Sequence, residues 1–174
     1  MPKTKAVESL ASGMKPMETI TIPMDDPSPD IYITKIKISA KDASLLKYDR
    51  ASKNHEVEHC EMPFFSQIHP DFQDALNYFR GIAIEVVGLD EEAWDKAIVS
   101  GVSIKHSSEG IGLTITMQRK LEYDGLAIVV NTPYLSAEFL TREKRQIDRL
   151  IDEAIACLDG KRAQMDLFGG GGEA

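Results

Sequence analysis

The sequence predicts an α+β domain, a mainly antiparallel, twisted sheet packed against a central helix and a C-terminal helix. Three observations carry that expectation. Ile111, Leu113, Ile115 and Met117 alternate with polar or small residues, the period of two that a half-buried strand requires. The polar, glycine-containing runs at 107–110 and 122–125 then join neighbouring strands as hairpins, which makes the sheet antiparallel. Phe72, Ala75, Leu76 and Phe79 follow the i, i+3, i+4, i+7 spacing of one buried helix face, and Ile147, Leu150, Ile151, Ala154, Ile155 and Leu158 form a second such stripe.

The elements follow in order. Residues 1–30 carry Pro2, Pro16, Pro23, Pro27 and Pro29, which fix φ and remove donors, so a flexible N-terminal arm is expected with at most a short edge strand at 18–22. In the first strand, 31–39, Ile31 and Ile33 share one parity and Ile36 and Ile38 the other. That switch at Thr34-Lys35 demands a β-bulge or a strong twist. A second strand is expected at 43–48, with a polar turn at 49–54, and 63–65 reads as an apolar connection. His69-Pro70-Asp71 has Pro in the first turn and an acid near the positive end of the helix dipole, so the central helix starts there. It is expected to run as far as Val87 despite Gly81 and to stop at Gly88.

Residues 90–94 suggest an acidic turn, with Trp94 packed over the sheet edge. A three-stranded meander should span 97–131, with Ile98, Val102 and Ile104 on the inner face of its first strand. Lys105, His106, Arg119 and Lys120 are expected on its solvated side. Thr132-Pro133-Tyr134 ends it, Thr141 can cap the last helix, and Asp159-Gly160 terminates that helix. The expected organisation is an arm at 1–30, one domain at 31–160 and a flexible tail at 161–174.

Bulk composition excludes several classes. At 174 residues, 43% hydrophobic and 28% charged, the chain has the size of one domain with a substantial core. Its net charge of -8 repels phosphate backbones, so no direct nucleic-acid partner is expected and any link to DNA should run through another protein. Cys60 and Cys157 are too few for a disulfide framework and fit a reducing cytoplasm. No apolar run approaches the ~18 residues of a membrane span and no signal-peptide core is evident, so no membrane partner is expected.

His55-Glu56-Val57-Glu58-His59 matches His-Glu-x-x-His, in which two histidines on one helix face bind zinc and the glutamate serves as base. The helix is what fails. A turn-like Ser-Lys-Asn precedes the motif, and Pro63 follows His59 by four residues. As a strand, His55 and His59 share a face but stand roughly 13 Å apart at ~3.3 Å per residue, too far for one ion. The segment reads as a polar strand with exposed histidines. A zinc hydrolase built on His55, His59 and Glu56 is the alternative; no cofactor, metal or catalytic residue is expected.

Gln164, Met165, Asp166, Leu167 and Phe168 carry the functional expectation. Leu167 and Phe168 follow a charged helix and precede four glycines, where no local fold can bury them, so they suit another protein's pocket. Gln-x-Asp-Leu-Phe resembles the short peptide by which bacterial and phage replication and repair proteins bind the DNA polymerase sliding clamp. The His69-Pro70-Asp71-Phe72 helix start, the Asn131-Thr132-Pro133 exit and the 158–164 ending before Leu167-Phe168 resemble a group of small, uncharacterised phage and prophage proteins over roughly residues 31–168. That resemblance implies a phage setting and no activity. The expected function is a non-enzymatic accessory that binds the sliding clamp in the cytoplasm of a bacterial host; the third possibility is an assembly module whose residues 164–168 fill a neighbouring subunit's groove.

Overall fold

The computed structural model describes residues 30–51, 56–122 and 125–163. Strands β1 (Ile31–Lys37), β2 (Ser44–Ala51) and β3 (Val57–Phe64) form one meander, and β4 (Ile98–Ser107), β5 (Gly110–Lys120) and β6 (Ala127–Asn131) form another. Helices α1 (Pro70–Asn77) and α2 (Phe79–Val87) connect the two, and α3 (Lys144–Leu158) follows the second. The meanders join through β1 and β4 into one six-stranded antiparallel sheet, ordered β3-β2-β1-β4-β5-β6. This is the expected α+β architecture. The seam between the halves is short, pairing Lys35 with Ser103, Ile36 with Val102 and Lys37 with Gly101.

The parity switch in β1 is a bulge at Thr34: register shifts between Ile33 and Lys35, so Ile33 and Ile36 both point into the core. A second shift lies between Val99 and Gly101. It corrects the expectation for Ile98, which is exposed opposite Gln118 while Val99, Val102 and Ile104 are buried. β2 runs past Tyr48 to Ala51 because its polar end is paired: Asp49 faces His59 and Arg50 faces Glu58 across the ladder. Pro63 and Phe64, expected in a connection, belong to β3. As the sheet's edge strand it tolerates proline, since alternate N–H groups there have no neighbouring strand to meet.

The central helix begins where expected. His69 is its N-cap, its Nδ1 accepting from the Asp71 N–H at 3.3 Å, with Pro70 in the first turn. The helix is interrupted between α1 and α2, and the interruption falls at Tyr78 and not at Gly81. Tyr78 keeps helical dihedrals (φ -52°, ψ -41°) and its N–H still reaches Asp74 O at 3.0 Å. The buried face therefore continues from Phe72, Ala75 and Leu76 into Phe79, Ala83 and Ile84. Gly88 ends it in the left-handed region at φ 73°, where a side chain would be strained. Trp94 is buried in the core, and Asp90 Oδ1 closes its turn on the Ala93 N–H at 2.9 Å.

α3 packs on α1 and against β1. Its innermost residues are Ile147, Leu150, Ala154 and Cys157, with Ile151, Ile155 and Leu158 half-buried beside them. Thr141 does not cap it. That residue opens a 3-10 turn (Thr141–Glu143), donates its hydroxyl to Glu138 O at 2.7 Å, and leaves the N-terminus of α3 without a side-chain cap. The core fills the space between helices and sheet, with Ile33, Ile36, Leu46, Leu113, Ile115 and Met117 from the sheet meeting Phe72, Leu76, Phe79 and Leu150.

Candidate functional site

Among the described residues, charged side chains converge most densely where the chain leaves α3. Gly160 reverses it at φ 99°, and residues 161–163 run back along the loop that precedes α1. Arg162 forms an antiparallel bridge with Ile68, and the Ala163 N–H donates to Gln67 O at 3.3 Å. Three residues immediately before Gln164 are thereby fastened to the domain.

Lys161 supplies the first fastening. Its ammonium donates to Asp71 Oδ2 at 2.9 Å and to both Glu153 oxygens at 2.9 and 3.1 Å. His69, Asp71 and Glu153 offer ligand atoms within 4.8 Å of one another, a spacing that could hold a metal ion. The position that a cation would take between the carboxylates is occupied by Lys161, so the cluster works as an ion-pair clasp. The hydrogen bond from Lys161 holds Asp71 below the ordinary carboxylate range, and Glu153 and then Asp71 raise Lys161.

Arg162 supplies the second. Its guanidinium sits over the Phe64 ring, 4.8 Å from the centroid, donates to Cys157 O and Lys161 O, and lies 3.0 Å from Cys157 Sγ. Burial pushes the Cys157 thiol up, partly offset by the positive charge of Arg162, so it is a protonated core thiol. Cys157 continues the stripe of Ile147, Leu150 and Ala154, and sequence reasoning missed it because only aliphatic residues were used to define the face.

The clasp has a definite pH window. Asp71, with its folded pKa lowered, contributes stability that is full above the unfolded carboxylate value of about 3.9 and is lost as pH falls through the folded value. Lys161, with its folded pKa raised, contributes below about 10.4 and loses that contribution as pH rises through the folded value. Amide exchange at Lys161 and Ala163, whose N–H groups donate to Ala156 O and Gln67 O, corrected for intrinsic rates, is expected to stay level from about pH 5 to 9 and to rise below about pH 4. Lys161→Met should abolish that acid step; an identical step in the variant would show that the clasp does not cause it.

No protein-family model, curated protein or solved structure matches the chain. Its chemistry is therefore argued from its own residues.

His59 lies on β3, pointing away from the helices, with its side chain 82% exposed and Nδ1 2.6 Å from Asp49 Oδ1. Strand geometry and a cross-strand carboxylate account for it, as the motif's polar-strand reading expects. His55 and Gln164, Met165, Asp166, Leu167 and Phe168 lie outside the described residues. A hollow of about 250 Å³ opens between the β4–β5 turn and the start of α3, lined by Glu109, Ile111, Leu140, Lys144 and Asp148. It is smaller than the usual range for small-molecule sites, ~300–1,000 Å³.

Proposed function

We propose that this chain is a non-enzymatic, phage-type accessory protein that docks on the bacterial DNA polymerase sliding clamp through Gln164, Met165, Asp166, Leu167 and Phe168. On this reading it acts in the bacterial cytoplasm, where it recruits to the replication fork or competes there with other clamp ligands. The observation that carries the reading is the peptide itself, placed directly after residues that the Lys161 clasp and the Arg162 stack fasten to the domain. Residues 161–163, expected as the start of the flexible tail, are instead tied to the domain and give the peptide a fixed root.

The peptide's chemistry suits the role. Gln164 can donate and accept at a small polar site, Asp166 can accept from a rim donor, and Leu167 and Phe168 bring the apolar area. Burying two such side chains contributes about 3–6 kcal/mol in all before ordering costs, short of the ~8 kcal/mol of a micromolar complex, so the polar contacts of Gln164 and Asp166 must supply the rest for micromolar binding. Calorimetric titration of the full chain into a bacterial sliding clamp is expected to show such binding. Leu167→Ala/Phe168→Ala should abolish it with the thermal midpoint unchanged. Equal binding by the double variant would refute the proposal.

A further inference from the structure

Among the described residues, the helices lie on one face of the sheet and leave the other open. Cross-strand pairing places Lys35, Lys37, Lys47, Lys105 and Lys120 on the open face, interleaved with Ser103, Thr114, Thr116 and Gln118. Its carboxylates on the strands are Asp49 and Glu61, and both are engaged: Glu61 by Lys47 and Asp49 by His59. Among the described residues no salt bridge is recorded for Lys35, Lys37, Lys105 or Lys120. A chain of net charge -8 thus sets four lysines with no described ion-pair partner on one face of its sheet, while helices and loops mix acids such as Glu91, Glu92, Asp148 and Asp152 with cations such as Lys144, Arg145 and Arg149. This local excess was not visible in the chain's total charge.

Two tyrosines stand on the same face. Tyr32 of β1 is 45% exposed and meets His106 edge to face, while Tyr134 is 52% exposed and lies against β5 at Gly112. A Cβ on Gly112 would come within 2.1 Å of the Tyr134 hydroxyl and 2.4 Å of its Cζ, so glycine is what allows the ring to rest on the strand. Lys105 pairs with Gly112 and puts its ammonium 5.7 Å from the Tyr134 centroid. The order across the sheet is β1, β4, β5, which sets Lys105 between the two rings. Lys35 and Lys37 continue along β1 at ~6.6 Å spacing.

We infer that this open face binds single-stranded nucleic acid, the lysines meeting phosphates and Tyr32 and Tyr134 stacking on bases. Sequence-tolerant single-strand sites combine these two elements, a cationic track and aromatic platforms. An acidic protein partner fits the composition less well, because protein–protein interfaces are depleted in lysine, and exposed aliphatics of this face, Ile98 and Val129, flank Gln118 at one end of it. The inference is independent of residues 164–168. It departs from the expectation, drawn from net charge alone, that the chain has no direct nucleic-acid partner.

The test is fluorescence anisotropy of a labelled 20-nucleotide oligothymidylate with the full chain at ~50 mM salt. Saturable binding is expected, weakening with salt at a log–log slope of about -2 to -3, as three or four phosphate contacts require. Lys35→Gln/Lys105→Gln should weaken it at least ~10-fold and reduce the slope by about 1.4. Tyr134→Ala should weaken it about 10-fold with the slope unchanged, and Gly112→Ala, which displaces the ring, should do the same. Leu167→Ala/Phe168→Ala should bind as the parent does, so the result is separate from clamp docking. Absence of binding, or binding indifferent to the lysine and tyrosine variants, would overturn the inference. Sensitivity to the lysines alone would overturn the stacking role of Tyr32 and Tyr134.

Discussion

Phe72→Ala is expected to lower the unfolding free energy by about 3–5 kcal/mol. Phe72 sits on the buried face of α1, is 1% exposed, and belongs to the layer where α1 meets both α3 and β4. Truncation there removes the transfer energy of a whole ring and leaves a cavity that two helices and a sheet cannot close together. Against a typical total of ~5–15 kcal/mol, that is a large share of the domain's stability. Urea unfolding followed by circular dichroism should show a lower midpoint with an unchanged m-value. Phe65, the same residue type seven positions earlier, is 87% exposed, and Phe65→Ala should stay within about 0.5 kcal/mol of the parent. Similar losses for the two variants would contradict the placement of α1.

Arg162→Ala is expected to cost about 1–3 kcal/mol, from loss of a charge-assisted bond to Cys157 O and of the stack on Phe64. The readout that separates this from a general weakening is the Cys157 thiol, which the guanidinium covers at 3.0 Å. Labelling of Cys157 by a thiol reagent under native conditions should be slow in the parent and clearly faster in Arg162→Ala, while Cys60, half-exposed on β3, labels alike in both. Arg162→Lys should recover only part of the protection, since an ammonium has neither the planar fork nor the flat face of a guanidinium. Parent-like stability together with parent-like labelling would show that residues 161–163 are not fastened in this way.

Signals that act over one or two turns of chain were legible before the structure. The parity switch between Ile33 and Ile36 announced a bulge or a strong twist, because side chains alternate with period two, and the register shift is a bulge. His69-Pro70-Asp71 and Gly88 mark helix ends by their own backbone chemistry, and they mark them here. Features that depend on tertiary pairing were not legible. Ile98 looked equivalent to Val102 until the shift beside Gly101 reversed its face. Lys105, His106, Arg119 and Lys120 read as one solvated set. Pairing sends Lys105 and Lys120 outward, and it turns Arg119 to the other side and brings His106 Nε2 within 2.8 Å of Ile33 O. The clasp unites Asp71 and Lys161, 90 positions apart, and no local pattern announces such a meeting.

The short seam between β1 and β4 also bears on how quickly the chain can reach this fold. Pairing within each meander joins residues separated by a hairpin and forms on the timescale of local zippering. The three seam pairs close a loop of more than sixty residues that contains β2, β3, α1 and α2, and they can repay its closure entropy only once both halves are shaped. A protein with nearly all of its strand pairing local thus has its folding rate governed by one narrow, non-local join.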